Sequence, residues 1–158
     1  ASRGVAGDWW EWEEDGGDDA DYVDIEIGDY RRSWNRDGGD PWAIDEGSIE
    51  EVGCIHTCQG REFDYVGVII GPDMKYRDGE IVTDHEGRAS TDYSLRGVKK
   101  MMNEDPEEAQ EIVDEVVKNT YRTLLSRGLE GCYIYCCDDQ LENYLRTRLE
   151  NINGSIEF

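Results

Sequence analysis

Two stretches of the chain are almost continuously apolar. Tyr65-Val-Gly-Val-Ile-Ile70 shows no alternation and stops at Gly71-Pro72. Such a run reads as a central strand covered on both faces, as parallel sheets require. Gly131 to Cys137 reads as a second buried strand, with Ile134 at its centre. Between them Ala109, Ile112, Val113, Val116, Val117, Tyr121, Leu124 and Leu125 recur at three- and four-residue steps. That spacing gives a long helix one apolar face. Asp105-Pro-Glu-Glu supplies its start: the aspartate caps, the proline takes the first position, and acids fill the first turn. Ser126-Arg127-Gly128 supplies its end, with Arg127 in the final turn. Asp138 or Asp139 then caps a last helix through Leu141, Leu145 and Leu149.

The remaining elements are shorter. Glu51 to Thr57 reads as a strand, followed by a loop at Cys58-Gln-Gly-Arg-Glu62. Met74 to Val82 carries Arg77-Asp-Gly79 at its middle and predicts a β-hairpin. His85 to Thr91 reads as a loop, Tyr93 to Met102 as a short helix. Upstream, Tyr22 to Ile27 alternates like a strand, Glu13 to Asp21 is a solvated acidic loop, and Asp37-Gly-Gly-Asp-Pro41 is a turn between Trp34 and Trp42. Strand, strand, long helix, strand, helix is the order of a layered α/β domain with a mainly parallel sheet, here with a β-hairpin insertion. No internal repeat appears, and residues 1–158 read as one domain.

Composition changes this picture little, but charge changes the list of partners. The chain has 158 residues with 38 acids against 16 Lys and Arg, a formal net charge of −22. Only Lys75, Lys99, Lys100 and Lys118 are lysines, and the acids are spread over every segment. A nucleic-acid binder normally carries a basic face. A cytosol of molar salt, where the Debye length is about 3 Å, screens such self-repulsion and gives the acids a hydrating role. On the halophilic reading net charge says little about partners; an ordinary acidic protein is the other reading. No run approaches the ~18 apolar residues of a membrane span, and no secretory signal is visible. A cytoplasmic location is expected. The chain opens at Ala1-Ser2-Arg3 without Met, as a piece of a longer protein would.

The cysteines are Cys54, Cys58, Cys132, Cys136 and Cys137. An odd number without a secretion signal argues against a disulfide framework. The spacings Cys54/Cys58 and Cys132/Cys136 are compatible with zinc ligands. Residues four apart in a strand, however, lie about 13 Å from each other. Buried small thiols are the favoured reading.

Two stretches place polar residues inside apolar elements. In the first, a strand delivers His56 and Thr57 to its carboxyl end, Gln59-Gly60 turns, and Glu62 precedes the next strand. Carboxyl ends of strands are where open α/β sheets bind ligands, and a glycine lets backbone approach a ligand closely. Thr57 is a candidate donor to a phosphate, Glu62 a candidate acceptor from a ribose hydroxyl. In the second, Arg122 and Arg127 share a helix that leads straight into a core strand.

These two stretches resemble superfamily 1 helicases, specifically their second RecA-like domain. His56-Thr57-Cys58-Gln59-Gly60-Arg61-Glu62-Phe63-Asp64 resembles motif V, and Tyr121-Arg122-Thr123-Leu124-Leu125-Ser126-Arg127-Gly128 resembles motif VI, about 65 positions later. The likeness is closest to the Schlafen group 3 DNA/RNA helicase family. Trp9-Trp10-Glu11-Trp12, Trp34-Asn35 and Gly71-Pro72-Asp73 add to it, so that it covers nearly the whole chain. The resemblance implies that Arg127 is the arginine reaching the γ-phosphate of ATP, with Arg122 as support or second phosphate contact. It implies that Gln59, Gly60 and Glu62 lie near the ribose and phosphates, and that His56 and Thr57 touch the nucleic-acid backbone. Arg61 and Gly128 depart from it, since helicases often carry a small or apolar residue at those positions.

No G-x-x-x-x-G-K-[ST] phosphate loop occurs in the sequence. ATP and Mg²⁺ are therefore expected to bind through an N-terminal P-loop domain outside this chain. The expected function is the C-terminal motor domain of an ATP-dependent DNA or RNA helicase or translocase, acting on single strands and inactive alone. A non-catalytic interaction module that keeps the fold is the alternative. A nuclease built on His56, Glu62 and Asp64 lacks a suitably placed lysine.

Overall fold

The computed structural model describes residues 3–6, 25–34, 50–88 and 93–154. Strand β1 (Arg3–Ala6) pairs in parallel with β5 (Phe63–Ile70), which pairs in parallel with β8 (Gly128–Cys136). A second small sheet joins β2 (Ile25–Ile27) and β3 (Tyr30–Trp34) antiparallel, with β4 (Glu51–Val52) parallel to β3. Strands β6 (Met74–Arg77) and β7 (Glu80–Thr83) form the expected hairpin about Asp78-Gly79. The helices are α1 (Ile55–Cys58), α2 (Val98–Glu104), α3 (Pro106–Leu125) and α4 (Asp139–Gly154). The architecture is mixed α/β with a parallel sheet at its centre.

The apolar run of β5 explains its position. Phe63, Val66, Val68 and Ile70 enter the main core with Val113, Val117, Tyr121 and Leu124 of α3 and Leu141 of α4. Ile69 points to the opposite face and joins Ile25 and Val52 in a second cluster. Each fully buried side chain of this kind contributes roughly 1.5–3 kcal/mol, so α3 is held by its packed face. Its start is as expected: the Asp105 carboxylate accepts from the Glu108 amide at 3.1 Å, and Pro106 opens the helix. The carboxylate of Asp138, not Asp139, caps α4 by accepting from the Leu141 amide at 2.9 Å.

Four expectations change. The strand over Glu51 to Thr57 stops at Val52, and Ile55–Cys58 forms a helical turn. The Thr57 hydroxyl stabilises it by donating to the Cys54 carbonyl at 2.8 Å. The strand through Gly131 to Cys137 is not a buried central one: β8 is an edge strand among the described residues, and Ile134 is 39% exposed. The helix over Tyr93 to Met102 is split into a 3-10 turn at Tyr93–Leu95 and α2, because Gly97 takes φ +92° between them. Arg127 lies past the last helical residue of α3, Leu125, and leads directly into β8.

The described cysteines are all free thiols, with Cys54, Cys58 and Cys136 buried and Cys132 and Cys137 exposed. Among the described residues no three His, Cys, Asp or Glu side chains converge to hold a metal. No described helix is long and apolar enough to cross a membrane. Trp9, Trp10, Trp12, Trp42, the acidic loop at 13–21 and the turn at 37–41 lie outside the described residues.

Candidate functional site

The two motif stretches meet at the amino ends of β5 and β8. The strand expected to deliver His56 and Thr57 at its carboxyl end stops at Val52, and both residues lie on α1 instead, whereas the segment bearing Arg122 and Arg127 leads straight into β8 as expected. The Phe63 amide, at the start of β5, donates to the Arg127 carbonyl at 2.9 Å. The Arg127 side chain then reaches the same loop: Nη1 donates to the Arg61 carbonyl at 3.3 Å. Nε donates to the Thr123 carbonyl at 3.0 Å and Nη2 to Ser126 Oγ at 3.0 Å. All these acceptors are neutral oxygens. Arg127 makes no ion pair with any carboxylate among the described residues, in a chain with 38 of them.

The 59–62 loop is shaped by backbone. The Gln59 amide closes α1 on the Ile55 carbonyl at 2.8 Å, and the Arg61 amide turns back to the Cys58 carbonyl at 3.2 Å. Gly60 between them has φ +76°, a left-handed conformation that other residues adopt at a cost. Gln59, Gly60 and Glu62 are exposed. The structure thus brings Gln59, Gly60, Glu62 and Arg127 to one edge of the domain. His56 is exposed on α1, whereas Thr57 is half-buried and its hydroxyl donates to the Cys54 carbonyl. Arg122 is exposed one turn up α3, where Nη1 donates to Asn119 Oδ1 at 3.2 Å. No hydrogen bond among the described residues ties it to the loop.

Gly128 finds a reason here. Phe63 pairs with Gly128 but Tyr65 pairs with Gly131, so β8 carries one extra residue, a bulge, directly after Arg127. Bulges re-aim the chain beside functional residues. A Cβ on Gly128 would stand 2.2 Å from the Gly131 carbonyl oxygen and 3.1 Å from Val66.

Just past the carboxyl end of β5, the end away from the loop, lies a buried polar group whose residues Asp73 and Tyr121 fall in the resembling segments but for which the sequence suggested no role. Asp73 is fully buried and pairs with Arg88, whose side chain is 1% exposed, at 3.1 Å. The Tyr121 hydroxyl donates to Asp73 Oδ1 at 2.5 Å and accepts from the Gly71 amide at 3.0 Å. Burial raises the Asp73 carboxyl, while the Tyr121 hydrogen bond and Arg88 oppose the rise. Burial, then the Asp73 charge, holds the Tyr121 phenol well above its usual value, so it remains a donor. The available signal was an aspartate directly after Gly71-Pro72, where a buried strand ends.

A concavity of about 270 Å³ lies between Tyr30, Gly67, Tyr133 and Tyr135, on the side of the sheet that carries Ile69. No charged group is among its described lining residues, so it has no anchor for a phosphate.

The model of the Schlafen group 3, DNA/RNA helicase domain matches residues 1–138. The chain is 29% identical over 132 residues to Uncharacterized protein YPL245W of Saccharomyces cerevisiae, covering 81% of this chain and 28% of that protein. The chain therefore spans little more than a quarter of that relative. No solved structure matches.

Proposed function

We propose, because the chain belongs to the Schlafen group 3 DNA/RNA helicase domain family, that it is the C-terminal motor domain of an ATP-dependent helicase or translocase. In this reading it is the second RecA-like domain of a superfamily 1 motor. The parallel β1-β5-β8 sheet with α3 and α4 packed on it supports that layering. One observation carries the reading. In an acid-rich chain, Arg127 is held against the 59–62 loop by neutral oxygens alone, and its charge stays uncompensated by any described carboxylate. Such a guanidinium is suited to an anionic ligand of matching planar geometry, above all a phosphate.

On this reading Arg127 leaves Arg61 and Ser126 to meet charge developing on the γ-phosphate. Arg122 offers a second phosphate contact. Gln59, Gly60 and Glu62 form the adjoining wall toward ribose and phosphates, and His56 and Thr57 face the backbone of a single strand of DNA or RNA. No phosphate loop occurs in this chain, and the described residues carry no converging metal ligands. Phosphate cradling and Mg²⁺ would come from a P-loop domain of the same protein, leaving this domain inactive alone.

The test is ATP turnover by the full-length protein. An arginine of this kind acts on transition-state charge and is worth about 10³–10⁵ in rate. Arg127→Ala should remove turnover on that scale while ATP still binds. Normal turnover in that variant would leave the interaction-module reading standing instead.

A further inference from the structure

Tyr121 lies on α3 six positions before Arg127 and is 1% exposed. An apolar residue would satisfy that packing, yet the position carries a hydroxyl. That hydroxyl is bonded on both sides, to Asp73 Oδ1 and to the Gly71 amide. Asp73 is in turn held by Arg88, and both are buried. A buried ion pair seldom stabilises more than apolar packing of the same volume. What directional bonds add is a single arrangement, because a satisfied buried network is rigid where apolar contacts allow sliding.

The arrangement fixes α3 at two points. Tyr121 ties it to Gly71 and Asp73, just past the carboxyl end of β5. Arg127, after the helix, is tied to Arg61 and Phe63 at the amino end of the same strand. Leu124, with no exposure, lies in the main core between them in sequence. A second attachment of the same unit lies just past the hairpin: the Asp84 amide donates to the Asp73 carbonyl at 2.9 Å. A rotation of α3 by about 20° would move a side chain some 5–6 Å from its axis by about 2 Å. Displacements of about 1 Å cost on the order of 100-fold in a catalytic geometry.

We propose that Tyr121 is a positioning residue for Arg127, setting the rotation of the end of α3 through its bonds to Asp73 and Gly71; the inference rests on the arginine-finger reading. Asp73 and Arg88 are the fixed support, and Tyr121 does not touch the phosphates.

The experiment compares Tyr121→Phe, Arg127→Ala and the double variant in the full-length protein. Tyr121→Phe keeps the ring and removes only the hydroxyl. Expected are a fall in kcat of about 10–100-fold with KM for ATP changed little, and faster amide hydrogen exchange over residues 61–66. Because Tyr121 acts through Arg127, Tyr121→Phe should not slow the residual turnover of Arg127→Ala further. A merely structural residue would lower both backgrounds by the same factor, and that result overturns the proposal. Wild-type turnover and exchange in Tyr121→Phe, with Arg127→Ala inactive, overturns the positioning role and leaves the finger. Wild-type turnover in Arg127→Ala overturns the finger itself.

Discussion

The Phe63 amide and the Arg127 carbonyl are joined by a 2.9 Å hydrogen bond, the first rung between the two segments that precede β5 and β8. Immediately beyond it β8 bulges, since Gly128 faces Phe63 but Gly131 faces Tyr65. The backbone of one motif is thus the ruler for the side chain of the other. The Arg127 side chain binds the Arg61 carbonyl two residues before Phe63, whose amide its own carbonyl binds.

Gly128→Ala should break this ruler. The added methyl would meet the Gly131 carbonyl oxygen at 2.2 Å, and that atom is backbone that cannot rotate aside. Overpacking of this kind costs typically 1–3 kcal/mol. For a domain of this size that lowers the melting midpoint by about 2–4 °C per kcal/mol. Thermal melting checks it, and an unchanged midpoint would mean that the bulge opens without strain.

What the sequence carried and what it hid follow from range. The run Tyr65–Ile70 was legible because every position is apolar, and α3 because eight apolar residues share one face. Helix α1 was not, since Ile55, His56, Thr57 and Cys58 make too short a segment for helical and strand periods to differ. The exposure of Ile134 depends on which strands flank β8, which its own residues do not encode. The neighbourhood of Arg127 and the 59–62 loop was legible through the two motifs, but its means were not, because Arg61 and Phe63 contribute backbone atoms. Asp73, Arg88 and Tyr121 meet across separate elements, and no local pattern joins them.

Arg127→Lys should fail nearly as fully as the alanine variant in turnover by the full-length protein. The guanidinium uses Nε, Nη1 and Nη2 on three separate oxygens. A lysine offers one point charge at the end of a flexible stem and cannot reproduce the planar fork. Arg122→Ala, removing an exposed side chain bonded only to Asn119 among the described residues, should cost less than either. Equal losses at both positions would refute this ranking.

Stability should rise with salt. At a net charge of −22, carboxylates repel across the surface, and the compact state suffers more than the expanded one. The Debye length falls from about 10 Å near 0.1 M salt to about 3 Å at 1 M. The melting midpoint in about 2 M KCl should therefore exceed that in about 0.1 M. Equal midpoints would count against the halophilic reading of the composition.

Acid should weaken the fold at Asp138. Asp138 ties the hairpin to α4: Arg77 donates to both its oxygens, at 3.0 and 2.7 Å, and the Tyr76 and Leu141 amides donate to Oδ1 at 3.2 and 2.9 Å. The Arg77 hydrogen bonds, against some desolvation and with help from the two amides, hold its carboxyl down at about 2. An unfolded aspartate titrates near 3.9. The folded value is the lower one, so folding is favoured by the ionised form. That contribution is complete above about pH 4 and is lost as pH falls through about 2. Asparagine is as good a helix cap but has no charge for Arg77 and does not titrate there. Wild type should therefore exceed Asp138→Asn in stability by a constant margin from neutral pH down to about 5. The margin should narrow between about pH 4 and 2, as read from urea midpoints of both proteins. A margin that persists unchanged to pH 2 would show that the Asp138 charge contributes nothing, and that its capping geometry alone joins Arg77, Tyr76 and α4.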